Sequence, residues 1–161
     1  MNAGSIDFDK ISSLINSYRK RIKKLEFIDE VLWDQDIIKN WQVNEVREIA
    51  GTFNRMVLND KTHRRFHTLI PSGKGFIPAH FHDFVEVATV LQGELYDNLM
   101  SKTVTVGGKM VYEFGEPHEP ENIKKEDCLL VVDWVRTISI DEALHHLKIK
   151  TKHYNMDYFT L

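Results

Sequence analysis

Between residues 46 and 135 turn-forming residues cut the chain into short, β-branched runs, and this segmentation constrains the fold more than any other feature. "TFNRMVLND" (52–60) and "RRFHTLIP" (64–71) meet at the polar turn Asn59-Asp60-Lys61. "SGKG" (72–75) is a second turn, and "EVATVLQ" (86–92) is a strand stopped by Gly93. "TVTV" (103–106) and "KMVYEF" (109–114) flank Gly107-Gly108, which predicts a hairpin. "CLLVVDWV" (128–135) is a continuous apolar run, as expected of a buried strand. Short strands at regular spacing, each bounded by turns, predict an antiparallel sandwich or barrel.

The flanks have a different texture. Over 7–26, Ile11, Leu14, Ile15, Tyr18, Ile22 and Leu25 recur at steps of three and four, which predicts an amphipathic helix. Its apolar stripe has to cover something, either its own barrel or a second subunit. Its basic residues Arg19, Lys20, Arg21, Lys23 and Lys24 read as a solvated helix face. Residues 27–45 hold enough apolar side chains to bury (Phe27, Ile28, Val31, Leu32, Trp33, Trp41) but no clear period. "SIDE" (139–142) has the form of a capping box and opens a short helix near 140–148, followed by an extended end with Tyr154, Tyr158 and Phe159. Three segments result: a helical extension over 1–45, a barrel over 46–137, and a helix with its tail over 138–161.

A formal net charge of −3 over 161 residues gives no pull toward nucleic acid or a membrane surface, and neither partner is expected. Cys128 is the lone cysteine, which excludes an internal disulfide and every multi-cysteine zinc pattern. With no apolar signal core and no run of membrane-spanning length, a cytoplasmic location is expected.

The chemistry concentrates in "PAHFHDFVEV" (78–87). In a strand, residues two apart share a face, so His80 and His82 aim two imidazoles at one point. Asp83-Phe84-Val85 allows a bend, after which Glu86 opens the next strand and can bring a carboxylate to the same place. Imidazole nitrogen and carboxylate oxygen are the donors that borderline divalent metals accept. A fourth donor has to come from elsewhere, and "GEPHEPEN" (115–122) offers His118 after a Gly-containing turn. His63, His67, His145, His146 and His153 are less promising, although His67 could line a pocket. Phe76, Phe81, Phe84 and Tyr112 lie near these motifs and are candidates to line the cavity. Glu113 is a candidate pocket carboxylate, although a solvent-facing position suits it better.

These stretches resemble the two motifs of the cupin superfamily. The first has the form His-x-His, three or four residues, Glu, six residues, Gly, and here reads His80-Phe81-His82, Glu86, Gly93. The second runs here from Gly107 through Glu113-Phe114-Gly115 to His118 and Asn122, with Glu113 standing where the family has proline. The resemblance implies a mainly β fold: a cupin-type antiparallel β-barrel, or jelly roll, with an N-terminal amphipathic helix and a short C-terminal helix. It implies one divalent transition metal (Fe, Zn, Mn or Ni) held by His80, His82, Glu86 and His118, and a homodimer.

Within the superfamily, residues 50–135 are similar to a subgroup containing the acetylacetone- and dihydroxyacetophenone-cleaving dioxygenases and the cupin half of zinc-binding anti-sigma factors. The paired cysteines of the anti-sigma zinc module have no counterpart here. The subgroup implies a metal-dependent dioxygenase acting on an enolisable, β-dicarbonyl-like small molecule. The alternative is a non-catalytic cupin that senses a metal or a small molecule, as the sugar-binding arms of AraC-type regulators do without metal.

Overall fold

The computed structural model describes residues 7–22, 28–73 and 77–149. Lys23, Lys24, Leu25, Phe27, Phe76, His153 and the tail aromatics lie outside those residues. The described residues open with α1 (Phe8–Ile22), β1 (Asp29–Val31) and a single turn, α2 (Asp36–Lys39). Nine strands follow: β2 (Val46–Ile49), β3 (Thr52–Asn59), β4 (His63–Ile70), β5 (His80–His82), β6 (Val85–Gln92), β7 (Leu95–Asp97), β8 (Lys102–Val104), β9 (Lys109–Tyr112) and β10 (Pro120–Glu121). The final strand β11 (Cys128–Val135) leads into α3 (Ile140–His146).

The strands form a six-stranded sheet in the order β2-β3-β4-β11-β6-β9, a three-stranded sheet β10-β7-β8, and a parallel pair β1-β5. The fold is mainly β, a jelly roll flanked by an N-terminal and a short C-terminal helix. The run 128–135 is the middle of the large sheet, flanked by β4 and β6. That position explains why its sequence is apolar on both faces.

Alternation along each strand divides the interior in two. Arg64, Phe66, Thr68 and Ile70 of β4 point inward, as do Glu86, Ala88 and Val90 of β6. The inner set packs with Trp41, Leu95, Val104 and Met110 into a core between the sheets. Val85 and Val87 of β6 face the other way and meet Ile11 and Ile15 of α1 and Ala143 and Leu144 of α3. The helical stripe therefore covers the outside of its own sheet. Arg19, in the basic segment, is paired with Glu30.

Ser139 caps α3, its hydroxyl accepting from the Glu142 N–H at 3.3 Å. The return half of the predicted capping box does not form. The Glu142 carboxylate accepts instead from the Thr137 hydroxyl at 2.6 Å, and the Ser139 N–H donates to Thr137 Oγ1.

A second expectation is corrected outright: 103–106 and 109–114 do not make a hairpin across Gly107-Gly108. β8 pairs with β7 in the small sheet and β9 pairs with β6 in the large one. Gly107, at φ +85°, carries the chain between the sheets, and its N–H donates to the Val90 carbonyl at 2.9 Å. The glycine pair marks a turn either way. Its local signal holds no information about which neighbour each flanking strand will meet.

Two other motif residues have structural roles. Asn122 is buried, and its amide nitrogen donates to the Ile70 and Glu126 carbonyls at 3.0 and 2.7 Å, tying the loop before β11 to the end of β4. Cys128 is also buried, which pushes its thiol up to about 12 and keeps it as a packing group. Among the described residues no helix is long and apolar enough to cross a membrane.

Candidate metal centre

β5 places His80 and His82 on one face and Phe81 on the other, where Phe81 joins the core under α1 and α3. His118 comes alongside through a two-way backbone bridge. The His80 N–H donates to the His118 carbonyl at 3.0 Å, and the His118 N–H donates back to the His80 carbonyl at 2.9 Å. Directly paired residues project to the same side, and the two ring centroids are 4.2 Å apart.

Glu86 sits level with Tyr112 of β9 and Trp134 of β11. Its carboxylate oxygens lie 3.6 Å from His82 Nε2 and 3.8 Å from His118 Nε2. The donor nitrogens of His80, His82 and His118 all lie within 4.8 Å of one another. Both carboxylate separations are too long for hydrogen bonds. They suit donors that share one ion with bonds of about 2.0–2.2 Å.

The protons on these rings are fixed by the backbone. His80 Nδ1 lies 2.8 Å from the Pro78 carbonyl, His82 Nδ1 3.0 Å from the Phe84 carbonyl, and His118 Nδ1 2.8 Å from the Glu116 carbonyl. A carbonyl only accepts, so each Nδ1 carries the hydrogen and each Nε2 presents a bare lone pair. Among the described residues, Nε2 of His82 and of His118 are buried without a hydrogen-bond partner. Buried polar atoms in folded proteins are almost always satisfied, so two orphaned lone pairs facing one carboxylate fit a cation.

Electrostatics keep the donors in their ligating forms. Burial, and then the neighbouring His80 and His82, hold the His118 imidazole well below the usual histidine range. Burial, and then His82, lower His80 as well. Burial alone would raise the Glu86 carboxyl. The adjacent His82, then His80 and the Trp134 donor, outweigh it and hold Glu86 below its ordinary value.

Aromatic rings brace the donors. Phe84 stacks on His82 with centroids 4.1 Å apart, and Tyr112 stacks on His118 at 3.9 Å. The Tyr112 hydroxyl donates to buried Asp97 at 3.0 Å. Burial and the charges of Asp97 and Glu86 push that phenol well above its usual value, so it stays protonated. Trp134 donates its indole N–H to Glu86 Oε1 at 2.7 Å. Sequence reasoning missed this residue, and the available signal was parity. Trp134 interrupts the apolar run of β11 with a donor-bearing ring, and its register opposite Glu86 exists only once β6 and β11 are paired.

The remaining candidates lie elsewhere. Glu113 is exposed. His63 points outward, 2.7 Å from Asp133, and meets His146 edge-on at 5.1 Å. His67 is exposed beside Arg55, and His145 is exposed on α3.

His80 and Glu86 open onto a cavity of about 240 Å³. Its walls are mainly apolar, with Trp41, Phe66, Ala88, Val132 and Trp134 prominent. The three histidines can hold a metal ion against this cavity, with Glu86 beside them.

No protein-family model and no curated protein matches the chain. Solved structures do match. A double-stranded β-helix protein from Klebsiella pneumoniae aligns at 21% identity, covering 56% of this chain and 83% of its own, with a TM-score of 0.51. A predicted oxalate decarboxylase from Thermotoga maritima aligns at 19% identity, covering 60% and 95%, with a TM-score of 0.50. The Rhodobacter sphaeroides complex of SigE with the anti-sigma ChrR aligns at 16% identity, covering 83% and 70%, with a TM-score of 0.50. These likenesses give the chain the cupin fold.

Proposed function

We propose that this cupin-fold chain is a metalloenzyme in which His80, His82, Glu86 and His118 hold one divalent transition metal, and that it acts as a dioxygenase on a small enolisable carbonyl compound. The observation that carries the metal reading is the pair of buried, unpartnered Nε2 atoms of His82 and His118 facing Glu86. When bound, the ion supplies Lewis acidity toward a carbonyl oxygen and, as iron, chemistry with dioxygen. The protein's own residues do the rest. Neutral imidazoles and one carboxylate leave the site with positive charge for an enolate. The apolar wall excludes water, and Tyr112 and Phe84 hold the rings in place. A homodimer is the expected assembly.

The test begins with protein purified without chelator. About one metal per chain, followed by oxygen uptake after iron loading with a panel of β-diketones, is the expected result. Metal far below one per chain would sink the metal reading. Full occupancy without turnover would favour a second reading, a sensory or binding cupin. That reading draws on one observation: the likeness to the SigE–anti-sigma ChrR complex spans 83% of this chain, beyond the barrel strands alone.

Trp134→Phe tests the support of Glu86. The phenyl ring keeps an aromatic face toward Phe66 and Phe84, whose centroids each lie 4.5 Å from the indole, and removes the donor to Glu86 together with the second ring of the indole. Metal affinity is expected to fall about tenfold, the lower end for loss of a partner behind a ligand, in a competition titration with a chromophoric chelator. Unchanged affinity would mean that the indole hydrogen bond does not tune the carboxylate.

The metal-free chain carries its own pH signature. Burial lowers His80 and His118 in the folded state, and the half-buried His146 shifts the same way. The unfolded chain therefore takes up protons first, near the ordinary histidine value of about 6.5. The stabilisation is fully present above that pH and is lost as the pH falls through the lower folded values. Melting temperatures recorded with chelator should be flat at neutral pH and above, and decline below about pH 6.5. A melting temperature that rises on acidification through this range would contradict the burial of neutral imidazoles.

A further inference from the structure

The cavity has a second polar end. Asn54 of β3 and Thr68 of β4 are buried cross-strand partners that line it, away from the level of Glu86. On β4 the inward residue level with Glu86 and Trp134 is Arg64, and Thr68 follows four residues later on the same face. At about 3.3 Å per residue, roughly 13 Å of strand separates the two levels.

Hydrogen bonding fixes what this far end offers. The Thr52 hydroxyl donates to the Ile49 carbonyl at 2.6 Å, so its oxygen is left to accept from Asn54 Nδ2 at 3.2 Å. Asn54 Oδ1 in turn accepts from the Thr68 hydroxyl at 2.8 Å. The amide orientation follows from the two threonines. One N–H of Asn54 and the lone pairs of Thr68 Oγ1 remain open, and among the described residues no further partner reaches either. The far pole presents one donor and one acceptor side by side, which is the complement of a hydroxyl group or an amide.

Charge decides the rest. Among the described residues the cavity wall carries no lysine or arginine, and its ionisable groups other than Tyr112 are Asp29, His80 and Glu86. Arg64 is buried nearby but is committed, donating to the Trp33 carbonyl at 2.6 Å and to Asn59 Oδ1 at 2.8 Å. A carboxylate at the far pole would be desolvated without a counter-charge, which costs far more than a neutral hydrogen-bonding group would.

We infer that the cavity takes an uncharged, largely apolar carbonyl compound bearing a hydroxyl or amide group at the end remote from the carbonyl, and that Asn54 and Thr68 select for that group. This inference rests on the metal reading above for the near end alone. Allowing for a metal–oxygen contact and a hydrogen bond, the two polar ends of the occupant stand roughly 8 Å apart. An aryl β-diketone with a para-hydroxyl spans such a distance, and its ring suits the aromatic wall.

The test uses zinc-loaded protein at pH 7, which binds without turnover, with zinc counted in the same samples. Trp41 and Trp134 line the cavity, so quenching of tryptophan fluorescence reports occupancy. Three probes are compared: benzoylacetone, its para-hydroxyphenyl analogue and its para-carboxyphenyl analogue. The hydroxylated probe is expected to bind about tenfold tighter than benzoylacetone, the worth of one good hydrogen bond in a buried site. The carboxylated probe is expected to bind weakest. Thr68→Val should bring the ratio of the hydroxylated-probe and benzoylacetone affinities to about one, losing the single hydrogen bond that sets it, and Thr68→Ser should keep the preference. Zinc-loaded protein that binds the hydroxylated probe and benzoylacetone equally would overturn the polar pole and leave the metal reading standing. A chain that takes up no zinc on loading yet still prefers the hydroxylated probe would do the reverse. Equal weakening of both by Thr68→Val would reduce the pair to a strand-to-strand tie, and tight binding of the carboxylated probe would overturn the uncharged class.

Discussion

His82→Ala should reduce bound metal from about one ion per chain to below about a tenth of that, because it removes a neutral imidazole donor from the proposed four-donor set. His82 is fully buried and its Nε2 has no hydrogen-bond partner among the described residues. Its ring orientation is set by the Phe84 carbonyl and by stacking on Phe84, so no flexible neighbour can substitute for it. The loss should also appear as stability. With free metal at a hundred times the dissociation constant, binding stabilises a folded chain by about 2.7 kcal/mol. Wild type should therefore melt higher on metal addition and the variant should not. Removing a buried ring leaves a void, so His82→Gln is the companion variant, and circular dichroism of both checks that the sheet persists. Stoichiometric metal in a folded His82→Ala chain would remove His82 from the ligand set.

Gly93→Ala should cost about 3 kcal/mol or more, combining backbone strain with a steric conflict. Gly93 has φ +76°, and a Cβ there would come within 2.6 Å of the Asp127 carbonyl oxygen and 3.2 Å of Cys128 Cα. Both obstacles are backbone at the start of β11, which cannot swing aside as a side chain would. The substitution would push the end of β6 off the central strand, where Gln92 is paired with Leu129. Against a total stability of about 5–15 kcal/mol this is a large fraction. Urea unfolding gives the value directly. A shift below about 1 kcal/mol would mean that the connection between β6 and β7 relaxes more readily than its geometry indicates.

The elements that could be read from the sequence are those specified locally. The strands at 52–59, 63–70 and 128–135 and the helix opening at Ser139 carry their own period, turn residues or cap. Pairing was not legible: Gly107-Gly108 advertises a hairpin, but β8 pairs back with its immediate predecessor β7 while β9 passes over both to pair with β6. The convergence of His80, His82, Glu86 and His118 was legible as spacing. The role of Trp134 was not, because its contact with Glu86 spans forty-eight positions of sequence. The same holds for Thr68 and Asn54, which read as ordinary strand residues until two strands are laid side by side. Residues 27–45 gave no period because Ile38 is buried from a single helical turn while Trp33 and Trp41 are buried from the irregular segments before and after it, where no repeat can form.

The three ring nitrogens tied to Pro78, Phe84 and Glu116 carbonyls have a consequence for metal choice. The imidazoles lose their rotational freedom when the chain folds, so an arriving ion meets donors already in position. A cradle set this way imposes nearly one shape on every occupant, and ions that tolerate that shape will differ little in the strain they create. Discrimination among them then falls to intrinsic donor preference, which follows the same ascending order in almost any nitrogen and oxygen site. The resident ion would accordingly report the supply of metals where the protein folds, more than any selection exercised by the barrel.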